Sequence, residues 1–75
     1  MSLSDFVIHI DEYLNELEIN EAENVASTCT GVVSAHINPH HRHLMLVAYD
    51  PSLGRSSHIL GAVRTLGVHG QLVGL

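Results

Sequence analysis

The sequence predicts a small α+β domain whose strands and helices follow the order β-α-β-β-α-β. Three observations lead to this prediction: apolar residues alternate in short segments, they recur at helical spacing in two longer segments, and glycine or proline separates the segments. Right-handed crossovers in both β-α-β halves then give a four-stranded antiparallel sheet with both helices on one face, the ferredoxin-like arrangement. We expect residues 1–75 to form one domain.

The first strand and the first helix have the clearest patterns. Phe6, Ile8 and Ile10 alternate with Val7 and His9, which is typical of a half-buried strand. A helix is then predicted to begin at an N-terminal capping box, in which the cap and the residue three positions later bond to each other; these are Asn15 and Glu18. The apolar stripe of this helix ends just before Gly31 and consists of Ile19, Ala22, Ala26 and Cys29.

The second half of the chain predicts a hairpin followed by a helix and a last strand. The strands of the hairpin are residues 32–38 and 43–49, and residues 39–42 form its turn. A second turn at residues 50–54 leads to a helix for which Ser56 or Ser57 is the expected N-cap. Gly67 stops this helix before a strand at residues 68–73. Its predicted buried stripe is Ile59, Leu60, Val63 and Leu66.

Charge and hydropathy exclude two classes of partner. The formal net charge is -5, and the only cationic side chains, Arg42, Arg55 and Arg64, are far apart in sequence. Such a chain is not attracted to phosphate backbones, so we expect no nucleic-acid binding. The longest apolar run, Leu44–Tyr49, is far shorter than the roughly 20 residues of a membrane-spanning helix, so we expect no membrane partner.

The sequence also predicts a location and argues against catalysis. The single cysteine, Cys29, cannot close an internal disulfide, and no apolar signal region follows a positively charged start, so a cytoplasmic location is expected. No serine lies in a nucleophile elbow, and no glycine-rich phosphate loop follows a strand. We therefore expect a protein that is not an enzyme.

Several segments together resemble the heavy-metal-associated domains of copper chaperones and metal-pumping ATPases. The segments that carry the resemblance are Ile8 with Ile10, Gly31-Val32, residues 47–51, Ala62-Val63 and residues 66–68. The resemblance implies a ferredoxin-like fold and a metal-related function. In that family the metal loop holds two cysteines separated by two residues, and counting back from Gly31 places these positions at Asn15 and Glu18. Because Cu(I) prefers thiolates, the resemblance implies the scaffold without its usual copper ligands.

Seven histidines offer a different set of metal ligands. His9 is expected to face outward on the open face of the sheet, beside His69 on the neighbouring last strand. Two histidines do not complete a zinc site, so water or a second chain across a symmetric dimer would supply the other ligands. The remaining candidate ligands are His36 on the second strand and the turn residues His40, His41 and His43. The expected metal is a transition metal, Zn, Ni, Co or Cu. The simpler interpretation is that these residues are polar spacers and a solvated turn.

A second functional hypothesis needs no metal. The outward positions of the sheet include four apolar residues, Val7, Leu44, Leu46 and Val73. Contiguous exposed apolar surface commonly marks an interface. The open face of the sheet would then drive homodimerisation or dock a protein partner.

Overall fold

The four strands that the structure describes form one sheet, and the first strand has a neighbour on each side. The computed structural model describes residues 2–73. Residues 1, 74 and 75 of the expected domain lie outside the described part of the chain. The elements in chain order are β1 (Ser4–Ile10), α1 (Glu16–Ser27), β2 (Val32–Ile37), β3 (Leu44–Tyr49), α2 (Ser56–Arg64) and β4 (Gly70–Val73). The strands form one sheet in the order β2-β3-β1-β4, and every neighbouring pair is antiparallel. The predicted ferredoxin-like fold is confirmed.

The core lies between the sheet and the two helices. Phe6, Ile8 and Ile10 of β1 are buried in it, whereas Val7 and His9 are only partly buried. The alternation predicted for this strand is therefore confirmed. The buried residues that β3 and the helices contribute are Met45, Val47, Ile19, Ala22, Ala26, Ile59, Leu60 and Val63.

The ends of several elements differ from the prediction. Strand β2 ends at Ile37 rather than at residue 38, and β3 begins at Leu44 rather than at residue 43. The residue that caps α2 is Arg55 in extended conformation, without a side-chain hydrogen bond, so neither Ser56 nor Ser57 is the N-cap. Leu66 follows the end of α2 and is 37% exposed, so it does not belong to the buried stripe. Strand β4 begins only at Gly70 and not at residue 68; the backbone N–H of the preceding residue, His69, donates to a carboxylate, while its carbonyl accepts from the N–H of Asp11.

Two loops pack closely at the end of the sheet opposite the β1–α1 loop. Gly31 precedes β2 with a φ of 87°, in the left-handed region that favours glycine. Gly54 ends the turn after β3, and a Cβ built on it would lie 2.3 Å from the carbonyl oxygen of Thr30. The close approach of the two backbones therefore requires glycine at position 54.

Two glycine substitutions are expected to change stability in opposite directions. Gly61→Ala lies in the exposed interior of α2 with nothing within 4 Å of the new Cβ, so it should raise the free energy of unfolding by about 1 kcal/mol. Gly54→Ala should lower it by about 1–3 kcal/mol, because the methyl group collides with backbone. Urea unfolding followed by circular dichroism measures both. Equal effects of the two variants would contradict the packing of the two loops.

Candidate metal centre

The β1–α1 loop ends in side chains that bond to the helix rather than to a ligand. The Oδ1 atom of Asn15 accepts the backbone N–H of Glu18 at 2.9 Å, and Glu18 Oε1 accepts the backbone N–H of Asn15 at 3.0 Å. The predicted capping box is therefore confirmed. Both positions at which the resemblance implied metal-binding cysteines are thus used to close the first turn of α1.

Cys29 does not replace the missing thiolates. It lies just beyond the end of α1, partly buried against the core, and its Sγ is 3.4 Å from the carbonyl oxygen of Val25. Burial raises the pKa of the Cys29 thiol. Since a metal binds the thiolate and not the thiol, this cysteine is a poor ligand where it lies. Its position agrees with the predicted role as a core residue.

The imidazoles of His9 and His43 lie side by side where β1 runs into this loop. Their ring centroids are 5.9 Å apart, and the ring planes differ by 16°. The Nδ1 of His43 is 2.8 Å from the carbonyl oxygen of Ile10, and this contact fixes the orientation of the ring. Because a carbonyl can only accept, Nδ1 carries the proton and the Nε2 of His43 keeps its lone pair.

The ring of His9 is held less firmly. Its Nδ1 lies 3.2 Å from Asp11 Oδ1 but is poorly aligned for a hydrogen bond. This nitrogen is buried, and none of residues 2–73 gives it a hydrogen-bond partner. An unpaired buried nitrogen is costly, and a proton shared with Asp11 or a bound cation would satisfy it.

An aromatic and charged cluster encloses the His43 side of this pair. The ring of Tyr13 meets the ring of His43 edge-on at 6.0 Å, and the Arg42 guanidinium lies 5.6 Å from the centroid of Tyr13. Glu16 Oε1 accepts from Arg42 Nη2 at 2.7 Å. This contact raises the pKa of Arg42 and offsets the positive charge that would otherwise repel a cation.

His69 lies away from the position expected for it. The register places Gln71 opposite His9, so His69 is not the cross-strand neighbour of His9. Instead, Glu12 of the β1–α1 loop accepts the backbone N–H of His69 at 2.8 Å, and its Oε2 lies 2.6 Å from His69 Nδ1. The hydrogen bond from the His69 side chain lowers the pKa of Glu12, and the same contact raises the pKa of His69.

The other candidate ligands lie along the β2–β3 hairpin. His36 is exposed on β2, with its Nδ1 3.4 Å from Glu23 Oε2. His40 and His41 lie in the turn, where the N–H of His40 donates to Asn38 Oδ1. His36 and His41 both line an apolar groove of about 240 Å³ on the open face, together with Val7, Asn38, Leu44 and Leu46.

The geometry therefore provides pairs of ligands rather than a complete cage. Within residues 2–73, no three His, Cys, Asp or Glu side chains are grouped so that they could hold a metal ion. The sequence did not predict the contact between His9 and His43. The register of β1 against β3 pairs His9 with Leu44, and strict alternation would turn the next residue, His43, to the opposite face. The contact arises because His43 precedes β3, which no pattern in the sequence indicated.

The ion pair of Glu12 and His69 should make stability depend on pH. The raised pKa of His69 means that its contribution is fully present below its ordinary value of about 6.5 and is lost as pH rises through the raised value. The lowered pKa of Glu12 means that its contribution is lost only as pH falls through the lowered value. His69→Gln should therefore cost more stability near about pH 5.5 than near about pH 9, measured by urea unfolding with a chelator present.

The Glu12→Gln background is the control for this prediction. Without the carboxylate of Glu12, the effect of His69→Gln should change much less with pH, because only the weaker attraction of Asp11 still raises the pKa of His69. A wild-type difference that does not change with pH would contradict the ion pair.

Solved structures with the same fold were found, although the sequence matches no protein-family model and no curated protein. The N-terminal domain of a potential copper-translocating P-type ATPase from Bacillus subtilis, in the Cu(I)-loaded state, has a TM-score of 0.84 and is 22% identical over 95% of this chain and 88% of that chain. The CopZ metallochaperone has a TM-score of 0.82 and is 20% identical over 91% of this chain and 100% of that chain. Oxidized MerP from Ralstonia metallidurans CH34 has a TM-score of 0.83 and is 10% identical over 95% of this chain and 97% of that chain.

The likeness to these structures is one of fold. Between residues 2 and 73, neither helix is long and apolar enough to cross a bilayer. The identities to the structures described above lie between 10% and 22%, so the likeness is one of architecture. The chain therefore has the same fold as these copper-chaperone and ATPase domains, which is the fold that the sequence predicted.

Proposed function

We propose that this chain is a small, non-enzymatic metal-binding domain that binds a transition-metal ion through His9 and His43. The observation that carries the proposal is the contact between the two imidazoles, 5.9 Å apart beside the β1–α1 loop. Water, or a second copy of the chain, supplies the remaining ligands, because zinc normally takes four.

The hydrogen bonding around His43 supports its role as a ligand. Metal-binding histidines usually donate their second ring N–H to a carbonyl or carboxylate, which fixes the tautomer and the ring orientation. His43 has this arrangement with the carbonyl oxygen of Ile10 at 2.8 Å. His9 has the carboxylate of Asp11 within 3.2 Å of its Nδ1. A small rotation of the His9 side chain would complete the same arrangement there.

The donor atoms favour a borderline metal over Cu(I). Imidazole nitrogen suits Zn, Ni, Co and Cu(II), whereas Cu(I) selects thiolate and thioether. The only thiol, Cys29, is outside this centre. Copper appears in the names of several proteins with the same fold, which supports a metal-related role but not the same ligands. His36, His40, His41 and His69 remain predicted ligands of secondary rank.

Titration calorimetry with Zn, Ni, Co and Cu(II) tests this proposal on the untagged protein. We expect saturable binding of at least one ion, and the double variant His9→Ala, His43→Ala should weaken it by about tenfold or more. The melting temperature should rise with the metal and fall back with a chelator, since a ligand that binds only the folded state stabilises it.

The matched control is His58→Ala, which removes an exposed imidazole from α2. This variant should bind metal as the wild type does. Equal weakening by the control and the double variant, or binding that the double variant leaves unchanged, would contradict the proposed pair. If only His69→Ala abolished binding, the metal centre would lie at His69 and not at His9 and His43.

The open face of the sheet supports a second candidate function, homodimerisation without metal. Leu46 is 53% exposed at the centre of this face, opposite Val7 on the neighbouring strand. Val73 pairs with Val7 from the other side and is also exposed. Three strands thus contribute one apolar surface that an associating copy would bury.

Sedimentation equilibrium tests the second candidate. If this face forms a dimer, Leu46→Asp should shift the protein to monomer, because it places a charge in an apolar interface. The control Leu53→Asp changes another exposed leucine, in the turn after β3, and should leave the dimer intact. A wild-type monomer at high concentration would rule out this candidate.

A further inference from the structure

The outer edge of β2 is the longest unpaired strand edge in the described structure. Strand β2 lies at one end of the sheet and has six residues, whereas β4 at the other end has four. Natural edge strands usually carry charged residues, proline or a bulge that prevents further pairing. The segment VVSAHI has no proline and no Lys, Arg, Asp or Glu, and its one irregularity lies at its start, between Val32 and Ser34.

The backbone groups of this edge point outward and can pair with a further strand. The N–H of Ile37 donates to Glu23 Oε2 at 2.8 Å, so it points away from β3. In an antiparallel strand, every second residue directs its N–H and C=O to the same side, so those of Ala35 also face outward. The carboxylate of Glu23 thus accepts the Ile37 N–H, to which a carbonyl of an added strand would otherwise bind.

The groove beside this edge is acidic. Helix α1 has four glutamates and no lysine or arginine. A groove of about 220 Å³ between α1 and β2 is lined by Glu16, Ile19, Asn20, Glu23, His36, Ile37, Pro39 and Arg42. Among the residues that line this groove, Arg42 carries the only guanidinium, and it lies 2.7 Å from the carboxylate of Glu16. A carboxylate of the groove therefore already accepts a basic side chain.

We propose that the edge of β2 and the acidic groove beside it bind an extended segment of a partner protein that has Lys or Arg at alternate positions. Such a segment adds a fifth strand by main-chain hydrogen bonds, and its alternate side chains meet α1 on one face. Its carbonyl replaces Glu23 on the Ile37 N–H, which frees that carboxylate for a basic side chain.

A second copy of this chain fits the edge less well. Antiparallel pairing of two β2 strands would bring two α1 helices, each with four glutamates, to the same side of the enlarged sheet. The formal net charge of -5 on each copy adds to this repulsion between the two helices. Charge therefore favours a basic partner, and this inference does not depend on the proposed metal pair.

The test uses a labelled short peptide that alternates lysine and valine, with a chelator present throughout. Fluorescence anisotropy should show saturable binding, and amide hydrogen exchange by NMR should show new protection of Ala35 in the complex. Ala35→Pro removes one outward N–H, which an edge strand tolerates, and should weaken binding by about tenfold. Glu23→Gln, which leaves β2 unchanged, should also weaken it by about tenfold.

Glu21→Gln is the control, because it removes the same charge from α1 at a residue that lines a different hollow, with Leu14 and Leu66. It should bind the peptide as the wild type does. Equal affinity for a peptide that alternates glutamate and valine, protection elsewhere than at β2, or no saturable binding would overturn the proposal. Dimerisation without peptide that Ala35→Pro abolishes would identify a second copy as the occupant instead.

Discussion

The pleat of β1 is the constraint on which the rest of the structure depends. This strand pairs with both β3 and β4, so its register sets which side chains of three strands face the helices. Ile8 and Ile10 are fully buried, while Val7 and His9 face the other way. A slip of one residue would bury an imidazole and expose the centre of the core. The same alternation thus gives the domain its stability and places His9 beside the loop.

The start of α1 is held by its own side chains, without help from a bound ion. Asn15 and Glu18 satisfy two backbone N–H groups of the first turn with their own side chains. A capping box of this kind holds the loop in place whether or not an ion is bound. Any metal-dependent change should therefore begin at the neighbouring imidazoles of His9 and His43, which no such box restrains.

The sequence predicted the elements and the capping box because these depend on local pattern, and the ferredoxin-like arrangement followed from the handedness of the two crossovers. It did not predict the contacts that define the candidate centre, since these depend on register and on side-chain rotation. The same limit applies outside the centre at His69, whose partner Glu12 is 57 residues away in sequence. The prediction of the N-cap of α2 was wrong for a local reason. The cap residue, Arg55, makes no side-chain hydrogen bond to the helix, so no cap pattern marks it in the sequence.

The proposed metal pair and the open face of the sheet are physically connected. Leu44 of the open face lies directly opposite His9 in the sheet, and Leu46 lies opposite Val7. A two-fold dimer through that face would bring two copies of His9 toward the same interface, which is where a two-histidine centre lacks ligands. Metal binding and dimerisation would then strengthen each other, because the dimer has a higher affinity for the metal and the bound metal stabilises the dimer.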